Sequence, residues 1–348
     1  MRTKEQLAKR ERIVATVILA ICAVGIVYPV ISMACSSLSS KTVIRTQHAS
    51  LVPIEGKQVK IPGYGDPNES YFLYKVKIGD EIRKLAKVGK SGSQWVYVDP
   101  EDKDCKEIIA EPVRDTDRVR TVRFNWVNYP DALKKANFIK YVGNTLFIMV
   151  VSTFGAVVSS VLVAYGFARF AFKGRNQTFM VLLATMMLPA QVSLIPSFLI
   201  YKWLGWYDTY LPLTVASYFA ASAWNVFLIR QFFMGLPLEL DEASKIDGCG
   251  PLAILFYVII PQSAPVLITI TLNSAVYWWN EYFYSLIYIQ NRDLYTVSLG
   301  LQSFDALYFN NSGLKGAATM VMLVPPVLLF FFFQRYFIQG TVISGVKG

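Results

Sequence analysis

The stretch Pro237 to Pro261, PLELDEASKIDGCGPLAILFYVIIP, is a polar island between two long apolar runs, and its reading decides the fold. Pro237 stands where a first helical position belongs, Glu239, Asp241 and Glu242 follow in the opening turns, Lys245 comes near the end and Gly248 just beyond. Acidic side chains suit the positive N-terminal end of a helix and basic ones its negative end, while Pro opens and Gly closes a helix with least penalty. The order therefore predicts a short helix of about two to three turns. Gly250 and Pro251 punctuate, and Leu252, Leu255, Phe256 and Ile259 then recur at helical spacing toward the next apolar run. A helix, a sharp turn and a second helix are expected.

Outward from the island the chain is strongly apolar: 54% of its 348 residues are hydrophobic, 17% are charged, and the mean hydropathy is +0.38. That balance is too apolar for a soluble chain of this length and points to a membrane protein. Cys22, Cys35, Cys105 and Cys249 are scattered without CxxC spacing and His48 is the single histidine, so no metal cluster and no histidine-based catalyst can be built. The net charge of +10 sits beside apolar spans and at the N-terminus. Topology signals and anionic lipid account for it without nucleic acid.

Residues 1–12 form a basic flank and Ile13 to Cys35 an uncharged run, longer than a signal-peptide core and read as a retained first span with the N-terminus in the cytoplasm. Residues 36–128 hold roughly half of the chain's charged residues, with both signs mixed. Alternating segments at Tyr71 to Lys77, Trp95 to Val98 and Val119 to Arg123 predict strands, hence a small β-rich extracytoplasmic insert. Gly89-Lys90-Ser91 echoes the end of a phosphate loop, but Lys84 stands where the first glycine belongs. The remainder, 129–348, starts with an amphipathic lead-in at Asn128 to Lys140 and holds five further apolar runs, at about 141–168, 178–201, 210–229, 264–288 and 317–333. Arg169, Lys173, Arg175, Arg230, Arg335 and Lys347 mark cytoplasmic ends. The count is six spans with both termini inside, each near the ~20 residues that a bilayer requires. This places 237–261 in the cytoplasm.

Glu242-Ala243-Ser244, three residues, Gly248, nine residues, then Val258-Ile259-Ile260-Pro261 closely resembles the EAA loop, E-A-A-x3-G-x9-I-x-L-P, of bacterial ABC importer permeases. Ser244, Val258 and Ile260 depart from that pattern and keep size and polarity close. The wider DEASKIDGCG is similar to the carbohydrate-uptake branch, the maltose-type permease subunits. ARFAFKGRN, LIPSFLIYKWLGWYDTYLPL, WWNEYF and the tail QRYFIQGTVISGVKG extend the resemblance over Ile13 to Cys35 and from Asn128 onward. It does not cover the insert, which is much longer than the corresponding stretch of most such permeases.

The resemblance implies an all-α polytopic protein with six transmembrane helices of the type I ABC importer permease fold. Its partners would be a second homologous permease subunit, two ABC ATPase subunits, an extracytoplasmic solute-binding protein and membrane lipid. It implies residence in the bacterial inner membrane, no cofactor in this chain, and ATP and Mg bound by the ATPases. The EAA loop would form a coupling helix docked in a groove on an ATPase: Glu242 offering a carboxylate, Ala243 and Ser244 permitting close approach, Gly248 allowing the turn, with Asp247 and Pro261 completing the set. The tail from Gly340 to Gly348 would touch the ATPase pair. The chain itself has no phosphate loop of its own and no catalytic constellation.

A solute path needs polar groups inside apolar spans, and these are Gln191, Ser217, Tyr218, Asn225, Asn273, Tyr277, Asn280 and Glu281. Asn273, Tyr277, Asn280 and Glu281 fall at i, i+4, i+7 and i+8, one face of a helix, and amides with an aromatic suit hydrogen bonding and stacking of a neutral sugar. The same residues suit joining helices across a bundle, and both readings stand. Trp278 and Trp279 read as interface-belt residues. Within the importer class a peptide or polyamine is the alternative solute. A secondary transporter would show an ionisable residue at mid-membrane, and only Glu281 comes near. In the insert, Tyr64, Tyr71 and Trp95 are candidate exposed contacts for the solute-binding protein, bracing of the spans is the alternative role, and Cys35 and Cys105 are a candidate bridge.

Overall fold

The computed structural model describes residues 4–39, 52–61, 69–78, 81–91, 94–102, 106–110, 118–135, 137–220, 222–307 and 311–342. The chain divides into two units, residues 1–135 with 304–321, and 136–303 with 322–348.

In the first unit, α1 (Lys4–Ser37) runs unbroken, with Pro29 inside it. Within Arg12–Ser37 an 18-residue stretch has a mean hydropathy of 2.6, and large apolar side chains from Ile13 to Ile31 are exposed all round. A helix apolar on every face and covered by none of its own chain is suited to lipid or to another chain. At its end Asn128 donates to the carbonyls of Ser37 (2.8 Å) and Ser39 (2.7 Å), and the Ser37 hydroxyl meets Tyr129 Oη at 2.8 Å. These bonds dock α2 (Asn128–Lys135), which starts at the predicted lead-in.

The insert is two antiparallel sheets. β1 (Ile54–Gly56) pairs with β7 (Arg120–Val122), and β2 (Gln58–Val59), β3 (Tyr71–Ile78), β4 (Glu81–Ser91), β5 (Gln94–Val98) and β6 (Glu107–Ala110) form a meander. The sequence reading found β3, β5 and β7 but not β4, whose alternation is masked by five basic and acidic residues and a register shift between Lys87 and Gly89. Gly89-Lys90-Ser91 is strand, not a phosphate loop. Both faces of the meander are covered: Tyr71, Ala86 and Val98 pack on one, Tyr74, Val76, Leu85 and Tyr97 on the other. Tyr71 is thus buried rather than an exposed contact, and Lys87 Nζ sits 3.2 Å from the centre of the Trp95 ring. Tyr64 and Cys105 lie outside the described residues.

In the second unit α3 (Phe138–Arg169) contributes Val161, Ala164, Tyr165 and Phe167 to the main core cluster. Its buried face carries Thr145, Ser152, Gly155, Ala156, Ser159 and Ala164, small side chains that let neighbouring backbones approach. Three expected spans are not single helices, and one of them, the run at 210–229, is interrupted by a 3-10 turn at Val215–Phe219. The run at 178–201 is α4 (Arg175–Thr185) and α5 (Ala190–Trp203), bent by 97°, because Pro189 has no N–H to continue the ladder. The run at 264–288 is α11 (Ala264–Asn280), ending two residues before α12 (Phe283–Tyr288).

Between α3 and α11 come α6 (Leu211–Thr214), a 3-10 turn at Val215–Phe219, α7 (Ala223–Gly235), α8 (Glu239–Ile246), α9 (Pro251–Ile254), a π-helical stretch at Leu255–Ile259 and α10 (Ile260–Gln262). The wide turn at Leu255–Ile259 precedes Pro261, whose ring clashes with the preceding turn, and Pro251–Gln262 meets α11 at 83°. A 3-10 turn at Arg292–Leu294 leads to α13 (Val297–Leu307), and α14 (Ser312–Val342) ends the described chain, so the residues 343–348 of the tail lie outside it. Among the described residues four helices are long and apolar enough to cross a membrane, or up to six with each bent pair counted as one span.

Candidate functional site

Two places in the second unit carry chemistry. The first is a cavity of about 560 Å³, within the ~300–1,000 Å³ usual for small-molecule sites. Its wall begins with broken backbone. The 3-10 turn at Val215–Phe219 interrupts the span Leu211–Gly235, and carbonyls freed inside an apolar medium need donors. Serines of α3 supply them: Ser152 Oγ donates to Leu213 O and Ser159 Oγ to Ser217 O, both at 3.0 Å. Gly155 lies beneath the Tyr218 ring, where a Cβ would meet ring carbons at 2.5 Å. The turn is thereby held against α3 with Ala216 and Ser217 facing the cavity.

α7 starts at Ser222, whose hydroxyl accepts from Asn225 N (3.3 Å), an N-cap that orients Asn225. The Asn225 amide then donates to Ser274 Oγ of α11 at 3.3 Å, and both line the cavity with Asn273, Tyr277 and Trp278. α5 contributes Ser193, Ser197 and Tyr201, spaced four residues apart on one face. From α12 come Tyr284 and Tyr288, stacked 6.2 Å apart at 6°, with Tyr201 edge-on to Tyr288 at 5.3 Å.

Of the residues singled out from sequence, Ser217, Asn225, Asn273 and Tyr277 line this cavity and Gln191, Tyr218, Asn280 and Glu281 do not. Gln191 is exposed, Tyr218 covers Gly155, and Asn280 turns back to Val276 O at 2.9 Å. Glu281 does not continue the expected helical face, because α11 ends at Asn280. Its carboxylate instead accepts from Tyr284 N (2.6 Å), Ser285 N (3.0 Å) and Ser285 Oγ (2.6 Å), closing the start of α12. Trp279 is buried rather than at a membrane interface and donates to Met322 O at 3.1 Å. The MMLPAQVSLIP segment marks Ser193 as a residue that lines rather than spans, whereas Ser197 and the tyrosines of α12 escaped the sequence reading, although their four-residue spacing is a visible signal.

The second place is the island. α8 carries Glu239, Asp241 and Glu242 in its first turn and Lys245 in its last, and Gly248 makes the turn at φ +80. Pro237 precedes the helix, which starts at Glu239. Glu242, Ala243, Lys245 and Asp247 are exposed, and Ile246 is 87% exposed. Ser244 is turned inward, its hydroxyl bonded to Leu240 O at 2.7 Å, so it does not sit on the outer face with Ala243. Three contacts tie the island and the residue before it to the end of α3. Arg169 Nε lies 3.3 Å from Asp241 Oδ2 with both side chains buried, a charge contact rather than an aligned hydrogen bond. Arg169 Nη2 donates to Leu236 O (3.2 Å), and Tyr165 Oη to Pro251 O (3.0 Å). Pro261 lies in α10 at the 83° bend.

Residues 143–342 match the family model of the binding-protein-dependent transport system inner membrane component. The arabinooligosaccharides transport system permease protein AraQ of Halalkalibacterium halodurans is 34% identical over 206 residues, 59% of this chain and 73% of that protein. The sn-glycerol-3-phosphate transport system permease protein UgpE of Pectobacterium atrosepticum is also 34% identical, over 58% of this chain and 72% of its own. Among solved structures, a bacterial ABC transporter involved in the import of the acidic polysaccharide alginate has a chain that superposes on 97% of this one with a TM-score of 0.67 at 21% identity, covering 99% of that chain. That likeness shows the fold.

Proposed function

The chain belongs to the family of binding-protein-dependent transport system inner membrane components, and on that premise we propose that it is the permease subunit of an ATP-driven ABC importer for a sugar or oligosaccharide. It works by alternating access, beside a second permease, above two ATPases that bind ATP and Mg, and below a solute-binding protein. The two relatives' names span an arabinooligosaccharide and a phosphorylated polyol, so family alone leaves the charge of the cargo open.

The observation that carries the reading is the island. A polar helix with its Glu242 and Ile246 side free is fixed by Arg169, Tyr165 and Asp241 to the helix that also forms the cavity wall. Motion of an ATPase against α8 is delivered to α3, and from α3 to the serine-held turn beside the cavity. In this role Glu242, Ala243 and Asp247 are the docking surface, Gly248 and Pro261 shape it, and Ser244 braces it from behind.

Both termini and the island lie in the cytoplasm, and the insert lies outside. Impermeant thiol labelling in intact cells tests this in a background with the four native cysteines replaced. Lys90→Cys is expected to label and Lys173→Cys to stay dark. The reverse pattern ends the topology, and with it the docking of α8 on an ATPase.

A further inference from the structure

Resting on the importer reading above, we propose that the cavity of the second unit selects an uncharged glycosyl segment and discriminates against uronates and phosphorylated sugars. Among the described residues that line it, none is charged. Its polar groups are the amides of Asn225 and Asn273, serine hydroxyls and tyrosine hydroxyls, each of which donates and accepts in a pattern that sugar hydroxyls complement. Its apolar lining carries, beside Leu194, Pro212 and Leu213, the rings of Tyr277, Trp278 and Tyr288. The flat C–H face of a pyranose or furanose ring packs on such rings without competing for the polar groups.

Charge near the cavity does not rescue an anion. Glu281 offers no positive charge, and its oxygens are closed by three hydrogen bonds from α12. Arg169 faces Asp241, and the Arg230 guanidinium lies 4.0 Å from the centre of the Phe179 ring, in the cluster around α7 rather than in the cavity wall. A carboxylate or phosphate leaving water for this cavity meets no counter-charge, and desolvation of an unpaired ion is among the most unfavourable steps in recognition. A neutral ring loses only hydrogen bonds that the amides and hydroxyls restore. The same argument disfavours a polyamine, whose ammonium groups also meet no carboxylate in the lining.

The experiment separates the cavity from its delivery system. Saturation-transfer NMR on the purified complex of this chain with its partner permease and ATPases, without binding protein, is run with arabinotriose and maltotriose as neutral probes and trigalacturonate as the anionic probe. Signal is expected for a neutral probe, at least tenfold above that for trigalacturonate, and reduced at least tenfold in Tyr277→Ala and Asn273→Ala, with Tyr277→Phe retaining most of it. Equal or stronger signal from trigalacturonate overturns the selectivity, as does neutral binding that both alanine variants leave unchanged. The second arm measures uptake of the same probes into proteoliposomes holding the complete importer with its binding protein. Uptake of trigalacturonate at the neutral rate refutes the present inference while upholding sugar import. Uptake of amino acids, peptides or polyamines with none of any saccharide refutes the importer's sugar reading itself.

Discussion

At Gly248 the backbone, not the space, demands glycine: φ is +80 and a Cβ would meet nothing within 4 Å. Gly248→Val is therefore expected to strain the turn while leaving membrane insertion intact, and to lower ATP-driven uptake at least tenfold. Gly248→Asn, which tolerates the left-handed region better, should keep a larger share of it; wild-type uptake in the valine variant would exclude the turn from coupling. Glu281 invites the opposite treatment. Removing its carboxylate in Glu281→Ala leaves two N–H groups and a hydroxyl of α12 unpaired, on the order of 1–3 kcal/mol for each buried group. The expected outcome is a lower melting temperature of the purified complex together with weaker probe binding, since Tyr284 and Tyr288 ride on α12. Unchanged binding in a fully folded variant would separate α12 from the cavity. Gly248 was legible because a polar helix needs a stop, whereas Glu281 was not. A carboxylate in an apolar run reads as a path residue until the helix break beside it supplies donors.

Among elements, α3 is the one on which the others depend, and its two ends do different work. Near Arg169 it holds the island through a buried ion pair with Asp241. Removing one member of such a pair strands a buried charge, typically about 3–5 kcal/mol, whereas replacing both by apolar side chains is far milder. Arg169→Ala is thus expected to reduce the amount of folded protein and its ATPase coupling, and Arg169→Met with Asp241→Leu to recover folding. Thermal unfolding of the wild type, Arg169→Met, Asp241→Leu and the double variant measures the coupling. Additive losses would mean that the two side chains do not act as a pair. The apolar runs were legible as membrane segments, but their bends were not. Pro189 and Pro261 announce interruptions, yet a proline marks a break without fixing its angle, 97° and 83° here. The Arg169 contact was hidden because a basic residue after an apolar run reads as a topology signal.

For the whole molecule, composition and the island were enough to indicate a polytopic permease with a β-rich insert, because hydrophobic runs and spaced turn residues are local signals. The insert's faces were less legible: Tyr71 alternates like a solvent-facing aromatic but is buried where the meander is covered on both sides. Replacing Thr42 to Arg123 with a short Gly-Ser linker should preserve assembly with the ATPases and weaken affinity for the solute-binding protein. Unchanged affinity and uptake would remove the docking role. The feature that makes such a replacement feasible has an evolutionary meaning. β1 and β7 run side by side, Arg123 N bonds to Pro53 O at 3.1 Å, and Asn125 N bonds to Leu38 O at 2.8 Å. Entry and exit of the insert therefore share the footprint of one hairpin stem. A lineage can acquire, shed or exchange everything beyond that stem in a single recombination event, so this module is free to diversify at a pace of its own while the helices that carry the cavity and the island stay under separate selection.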